Sequence, residues 1–77
     1  MAVRQYTTLE EARVCLDQAK EAVEKNDNLC AWVKAYIALS FAEGKARIYR
    51  SKSEEIPTVV QELIKEANDY LHKIKLN

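Results

Sequence analysis

The chain has 77 residues with 12 basic and 12 acidic side chains, and 48% of its residues are apolar against 31% charged. That length holds one domain, residues 1–77, and the mixture belongs to folded chains rather than disordered ones. Zero formal net charge argues against broad binding of a polyanion, and a single Gly with a single Pro leaves too few turn residues for an all-β fold.

The first residues, Met1-Ala2-Val3-Arg4-Gln5-Tyr6, hold no apolar signal core. The longest apolar stretch, Leu29 to Ala42, has 12 apolar residues in 14, short of the roughly 20 that cross a bilayer. A cytoplasmic location without membrane association is the default expectation.

The first helix is expected over about residues 8–25. Thr8 with Glu11, or Thr7 with Glu10, forms a capping box, in which hydroxyl and carboxylate satisfy early backbone N–H groups. Leu9, Ala12, Leu16, Ala19 and Val23 recur at spacings of 3, 4, 3 and 4, which places them on one stripe. Cys15 and Ala22 widen it, whereas Val14 falls off it and belongs at an exposed position or a contact edge. Asn26-Asp27-Asn28 then supplies a turn. Asn tolerates the left-handed conformation that ends a helix, and Asp or Asn caps the next one. So short a turn makes the first two helices antiparallel neighbours.

The second helix is expected over about residues 28–50, with its apolar side chains in two arcs. One holds Ala31, Ala35, Ala38, Ala42, Ala46, Leu39 and Trp32; the other holds Cys30, Val33, Ile37, Phe41 and Ile48. The arc centres lie roughly 140° apart on the helical wheel, so the helix is expected to be covered on two faces. Two solutions remain open. The flanking helices each take one arc, or a second copy of the chain covers the Val33, Ile37 and Phe41 side, symmetric dimers being the commonest oligomers.

Ser51-Lys52-Ser53 is the next turn. The third helix is expected over about residues 54–75, beginning between Glu54 and Pro57, because Pro suits a first turn and biases Ile56 away from helical geometry. Ile56, Val60, Leu63, Ala67, Tyr70 and Ile74 make one apolar face. The expected fold is therefore all-α, an antiparallel up-down-up bundle of three helices, with dimerisation left open.

Few residues suggest chemistry. Cys15 and Cys30 lack the spacing and companions of a metal site. Across the expected hairpin they stand about 12 Å apart along the axis, too far for a disulfide, whose Cα atoms lie within about 7 Å. His72, the one histidine, suits a helix C-terminus, and nothing at a productive spacing makes it a general base. Glu10, Glu11, Glu54 and Glu55 suit helix N-termini. Gly44 alone cannot form a phosphate loop. No catalytic residue, metal or cofactor is expected.

Two groups are candidates for binding. Trp32, Val33, Tyr36, Ile37 and Phe41 lie at helical spacing, and Trp and Tyr commonly anchor protein interfaces. Lys45, Arg47, Arg50 and Lys52 form a basic group that no acid interrupts between residues 44 and 52, with Tyr49 inside it. It offers an anion or nucleic-acid site, with Tyr49 as a stacking platform. The simpler reading is favourable charge at a helix C-terminus.

Ala19, Ala22, Asp27, Ala31, Tyr36 and Ala38, followed by Tyr70 and Leu71, resemble the alanine spacing of three-helix microtubule-interacting and trafficking domains and of a tetratricopeptide helix pair. A second tetratricopeptide repeat is absent from the sequence. The resemblance implies tight helical hairpins, an architecture shared by many functions. The expected function is a small non-enzymatic module for protein–protein interaction or assembly, its partner a protein or a second copy of itself. The alternative is a small nucleic-acid-binding protein that uses the basic end of the second helix.

Overall fold

The computed structural model describes residues 8–74. They form α1 (Thr8–Glu24), α2 (Asn28–Ser51) and α3 (Thr58–Lys73), with no strand among them. Thr7, the side chain of Thr8, and Lys75 lie outside what is described, and with them both expected capping boxes.

The α1–α2 turn forms for the reason its sequence gives. Asn26 takes a left-handed φ of 60°. The Asp27 N–H donates back to the Ala22 carbonyl at 2.8 Å and the Asn26 N–H to Val23 at 3.0 Å. These two bonds satisfy carbonyls that the end of α1 would otherwise leave open, in the Schellman arrangement. Asp27 then caps α2, its Oδ1 accepting from the Cys30 N–H at 3.1 Å. The same closure recurs at the end of α2 with Ser53 as the left-handed residue (φ 56°). There the Glu54 N–H donates to Tyr49 at 2.9 Å and the Ser53 N–H to Arg50 at 3.0 Å.

The third helix starts later than the sequence suggests. Residues 54–57 are not helical, and Pro57 occupies the N-cap position with φ −58° and ψ 147°. The proline ring clashes with helical geometry at Ile56 and fixes Pro57's own φ, so the first turn begins at Thr58. The Pro57 carbonyl accepts from the N–H groups of Val60 and Gln61 at 3.0 and 3.2 Å. Glu54 and Glu55 therefore lie exposed in the connection rather than in a helix first turn.

α2 is the central element. It makes the two large interfaces, one with α1 and one with α3, while direct contact between α1 and α3 is small. The resulting body is flattened, with extents of 40 × 35 × 17 Å. α1 and α3 run in the same sense: residues 9–14 of α1 share a groove with Val59, Glu62 and Leu63 at the start of α3, and Val23 shares one with Tyr70 near its end. Arg13 bridges the two helices through a 2.8 Å contact to Glu66.

The core lies along the alanine arc of α2. Ala31, Ala35, Ala38, Ala42 and Ala46 are all buried. Ala12 and Leu16 from α1, with Leu63 and Ala67 from α3, close on Ala38 and Ala42, and Leu39, Phe41, Ile64 and Tyr70 pack around them. A methyl group at each α2 position lets the flanking backbones approach closely, where helices usually pack about 8–10 Å apart. Val14 is 48% exposed, as its place off the α1 stripe predicts. Val23 departs from its stripe's expectation: it is 38% exposed, because α1 ends one residue later and the groove it shares with Tyr70 covers it only in part. No helix among the described residues is long and apolar enough to cross a membrane.

Candidate interaction surface

Seen from the alanine seam, the opposite side of α2 is open. Leu29, Val33 and Tyr36 sit at spacings of 4 and 3, one face of a helix. They are 65%, 41% and 51% exposed. Trp32 and Ile37, half-buried, flank this stripe on its two sides. Trp32 and Tyr36, one turn apart, stack with ring centroids 5.2 Å apart and planes at 16°. Such stacking is an attractive offset geometry. It holds the Tyr36 ring in one orientation while half of its surface faces solvent, so docking costs little further side-chain entropy.

Four of the five interface candidates, Trp32, Val33, Tyr36 and Ile37, therefore gather around one surface. Phe41 does not join them, because it packs against the core cluster beside Ala38 and Ala42. α2's second arc is thus partly filled within the chain through Phe41, while Val33 and Ile48 (48% exposed) stay open. Leu29 was not among the candidates, yet it is the most exposed of the large apolar residues described. Its sequence signal was its place four residues before Val33 and seven before Tyr36 on the wheel, although it lies next to the capping turn.

The basic group is dispersed. Lys45 and Arg47 are two residues apart, about 200° around the helix. Lys45 is half-buried, with its Nζ 5.8 Å from the centre of the Tyr49 ring. Arg47 and Arg50 are exposed elsewhere on the helix, and Lys52 follows it in the turn. Tyr49 itself is half-buried and covered by Lys45, so the ring expected to stack on a base is already engaged.

The remaining titratable groups have structural surroundings. His72 Nδ1 lies 2.8 Å from the Asn68 carbonyl, so it carries the proton and donates, one turn back along an exposed face. Cys15 and Cys30 are both free thiols and half-buried. Burial pushes the Cys15 thiol up; nearby Lys34 partly opposes this and Glu11 adds to it. Among the described residues, no three His, Cys, Asp or Glu side chains converge as a metal site.

A second apolar surface lies between α1 and α3, a groove lined by Leu9, Val14, Val59 and Leu63 and edged by Glu10, Arg13 and Glu62. The sequence places Val14 at an exposed position or a contact edge; its pairing across the groove with Val59, itself 50% exposed, depends on helix placement and has no signature within either helix. Comparison of the chain with protein-family models, with curated proteins and with solved structures finds no match.

Proposed function

We propose that this chain is a non-enzymatic protein–protein interaction or assembly module that docks through the outer face of α2, in a cytoplasmic setting. The observation that carries the reading is the exposure of Leu29, Val33 and Tyr36 on one helical face, with Tyr36 held by its stack on Trp32. Large apolar residues scattered singly on a surface are ordinary; a contiguous row with a fixed aromatic is the composition of an interface centre. The dispersal of Lys45, Arg47, Arg50 and Lys52 favours this reading over nucleic-acid binding, because a polyanion is held by cations converging on one track.

The test is site-specific photo-crosslinking in cells that make the chain. A photoreactive phenylalanine analogue replaces Tyr36 in one variant and Lys65, exposed on α3, in another. Position 36 is expected to give discrete protein adducts that disappear on Val33→Glu, and position 65 to give none of them. Adducts that are absent at 36, or the same from both positions, would refute the assignment.

A further inference from the structure

We infer that α3 opens from the α1–α2 hairpin as one cooperative unit, hinged at Glu55 and Ile56 and latched by the Arg13–Glu66 pair. Opening uncovers an apolar surface that the closed chain hides, separate from the outer face of α2. The ends of the helices, their connections and their interfaces all point this way.

The ends of α3 are weakly secured. Pro57 stands at its N-cap without a side-chain hydrogen bond, and Ile74 leaves its C-terminus in extended geometry. α1 and α2 each end in a left-handed closure at Asn26 and Ser53, and Asp27 caps the start of α2. A helix of 16 residues without such caps is marginal in water. α3 therefore keeps its helix by docking and loses it on release, which makes docking and helix formation one event.

The two connections differ in the same sense. In the α1–α2 turn Asp27 is bonded on both sides: its N–H donates to Ala22 at 2.8 Å and its carbonyl accepts from Ala31 at 3.0 Å. Before α3, the backbone bonds of the turn stop at the Glu54 N–H and resume at the Pro57 carbonyl. Rotation about Glu55 and Ile56 breaks none of these bonds.

α2 meets α1 more extensively than it meets α3, and direct contact between α1 and α3 is small. Across that small contact, Nη1 and Nη2 of Arg13 both donate to Glu66 Oε2, at 3.1 and 2.8 Å. Asp17, one turn along α1, lies 4.0 Å from the same guanidinium, so Arg13 keeps a carboxylate beside it when Glu66 leaves. Release exposes Val60, Leu63 and Ala67, all buried in the closed chain. It also bares Ala38 and Ala42 on the side where Leu63 and Ala67 close on them, while Ala12 and Leu16 stay packed against the hairpin. The result is an amphipathic segment and a matching groove that are available only in the open chain.

Native-state hydrogen exchange, followed amide by amide by NMR, tests this. The amides of Leu63, Ile64 and Ala67 report α3, and those of Leu16, Ala19, Ala38 and Ala42 report the hairpin. The α3 set is expected to share one protection, about tenfold or more below that of the hairpin set. Gly44→Ala separates such a unit from global unfolding, because its added Cβ meets nothing and α2 stays helical whether α3 is docked or not. It is expected to raise hairpin protection about four- to fivefold and to leave α3 protection unchanged. Glu66→Gln removes a contact absent from both the open and the unfolded chain. It is expected to lower both sets by one common factor, about 1.5- to fivefold for a partly exposed pair. A rise in α3 protection equal to the hairpin's in Gly44→Ala overturns the unit, because α3 would then open only when the whole chain unfolds. A rise in neither set overturns it too, because the hairpin amides would then exchange without α2 unfolding. Leu16 and Ala19 amides that follow α3 rather than α2 overturn the persisting hairpin, and an α3 set unmoved by Glu66→Gln overturns the latch.

Discussion

Gly44 gives the sharpest test of the packing described above. It lies within α2, and a Cβ built on it meets nothing within 4 Å. Its φ is not positive, so the site demands none of glycine's special freedom. Gly44→Ala should therefore return the full helix-propensity difference, about 0.8–1.0 kcal/mol, with part of the gain arising from a less flexible unfolded chain. For a domain of this size that raises Tm by roughly 4–8 °C, measured by thermal unfolding of the monomer at low concentration. The matched control is Ala42→Leu, two residues earlier, where the side chain is completely buried between flanking helices. Three added carbons have no room there and should cost about 1–3 kcal/mol. A Gly44→Ala variant with unchanged or lowered Tm would refute the open placement of this backbone, and a neutral Ala42→Leu would refute the close packing of the seam.

Other outcomes follow from single residues. Leu16, one of the largest fully buried side chains, should cost about 2–5 kcal/mol on truncation to Ala. That is much of the roughly 4–12 kcal/mol total for 77 residues, and urea unfolding would show a steep fall in midpoint. Ser53→Gly relieves a left-handed φ of 56° and should stabilise by about 0.5–1 kcal/mol, seen as a higher urea midpoint at unchanged slope; a lower midpoint would contradict the turn geometry. The Cys15 thiol, pushed up by burial, should react with a disulfide reagent at pH 8 more slowly in the folded Cys30→Ser variant than in the same variant unfolded in urea. Equal rates would count against its burial.

The helices and their inner faces were legible because each is written within a single element. The 3.6-residue recurrence of Ala31, Ala35, Ala38, Ala42 and Ala46 predicts the buried arc of α2, and Asn26-Asp27 predicts both the left-handed residue and the cap. What was not legible depends on how elements meet. Periodicity assigns Val23 to the core stripe of α1, but at that end α3 meets it only across an open groove beside Tyr70 and leaves it partly in solvent. It gave Phe41 to the open arc of α2, whereas the core draws it inward while leaving Val33 in solvent. The Val14–Val59 groove joins residues 45 positions apart on two helices, so neither helix contains it. Glu54 and Glu55 were misplaced for a local reason: acids before a proline suit a helix start, but the restriction Pro57 imposes on Ile56 holds the chain extended for longer than the acids suggest.

The alanine seam also changes how this protein responds to genetic scanning. Of the twelve apolar side chains found buried among the described residues, nine are already alanine. An alanine scan, the common way to locate a core, is therefore silent at those nine positions, and within the buried set it reports only Leu16, Val60 and Leu63. The informative direction is enlargement. Valine or leucine introduced at Ala35, Ala38 or Ala42 forces whole helices apart rather than opening a void. Tolerance in this protein is thus bounded from above by volume, and a map of which positions refuse an added methyl group would trace where its three helices touch.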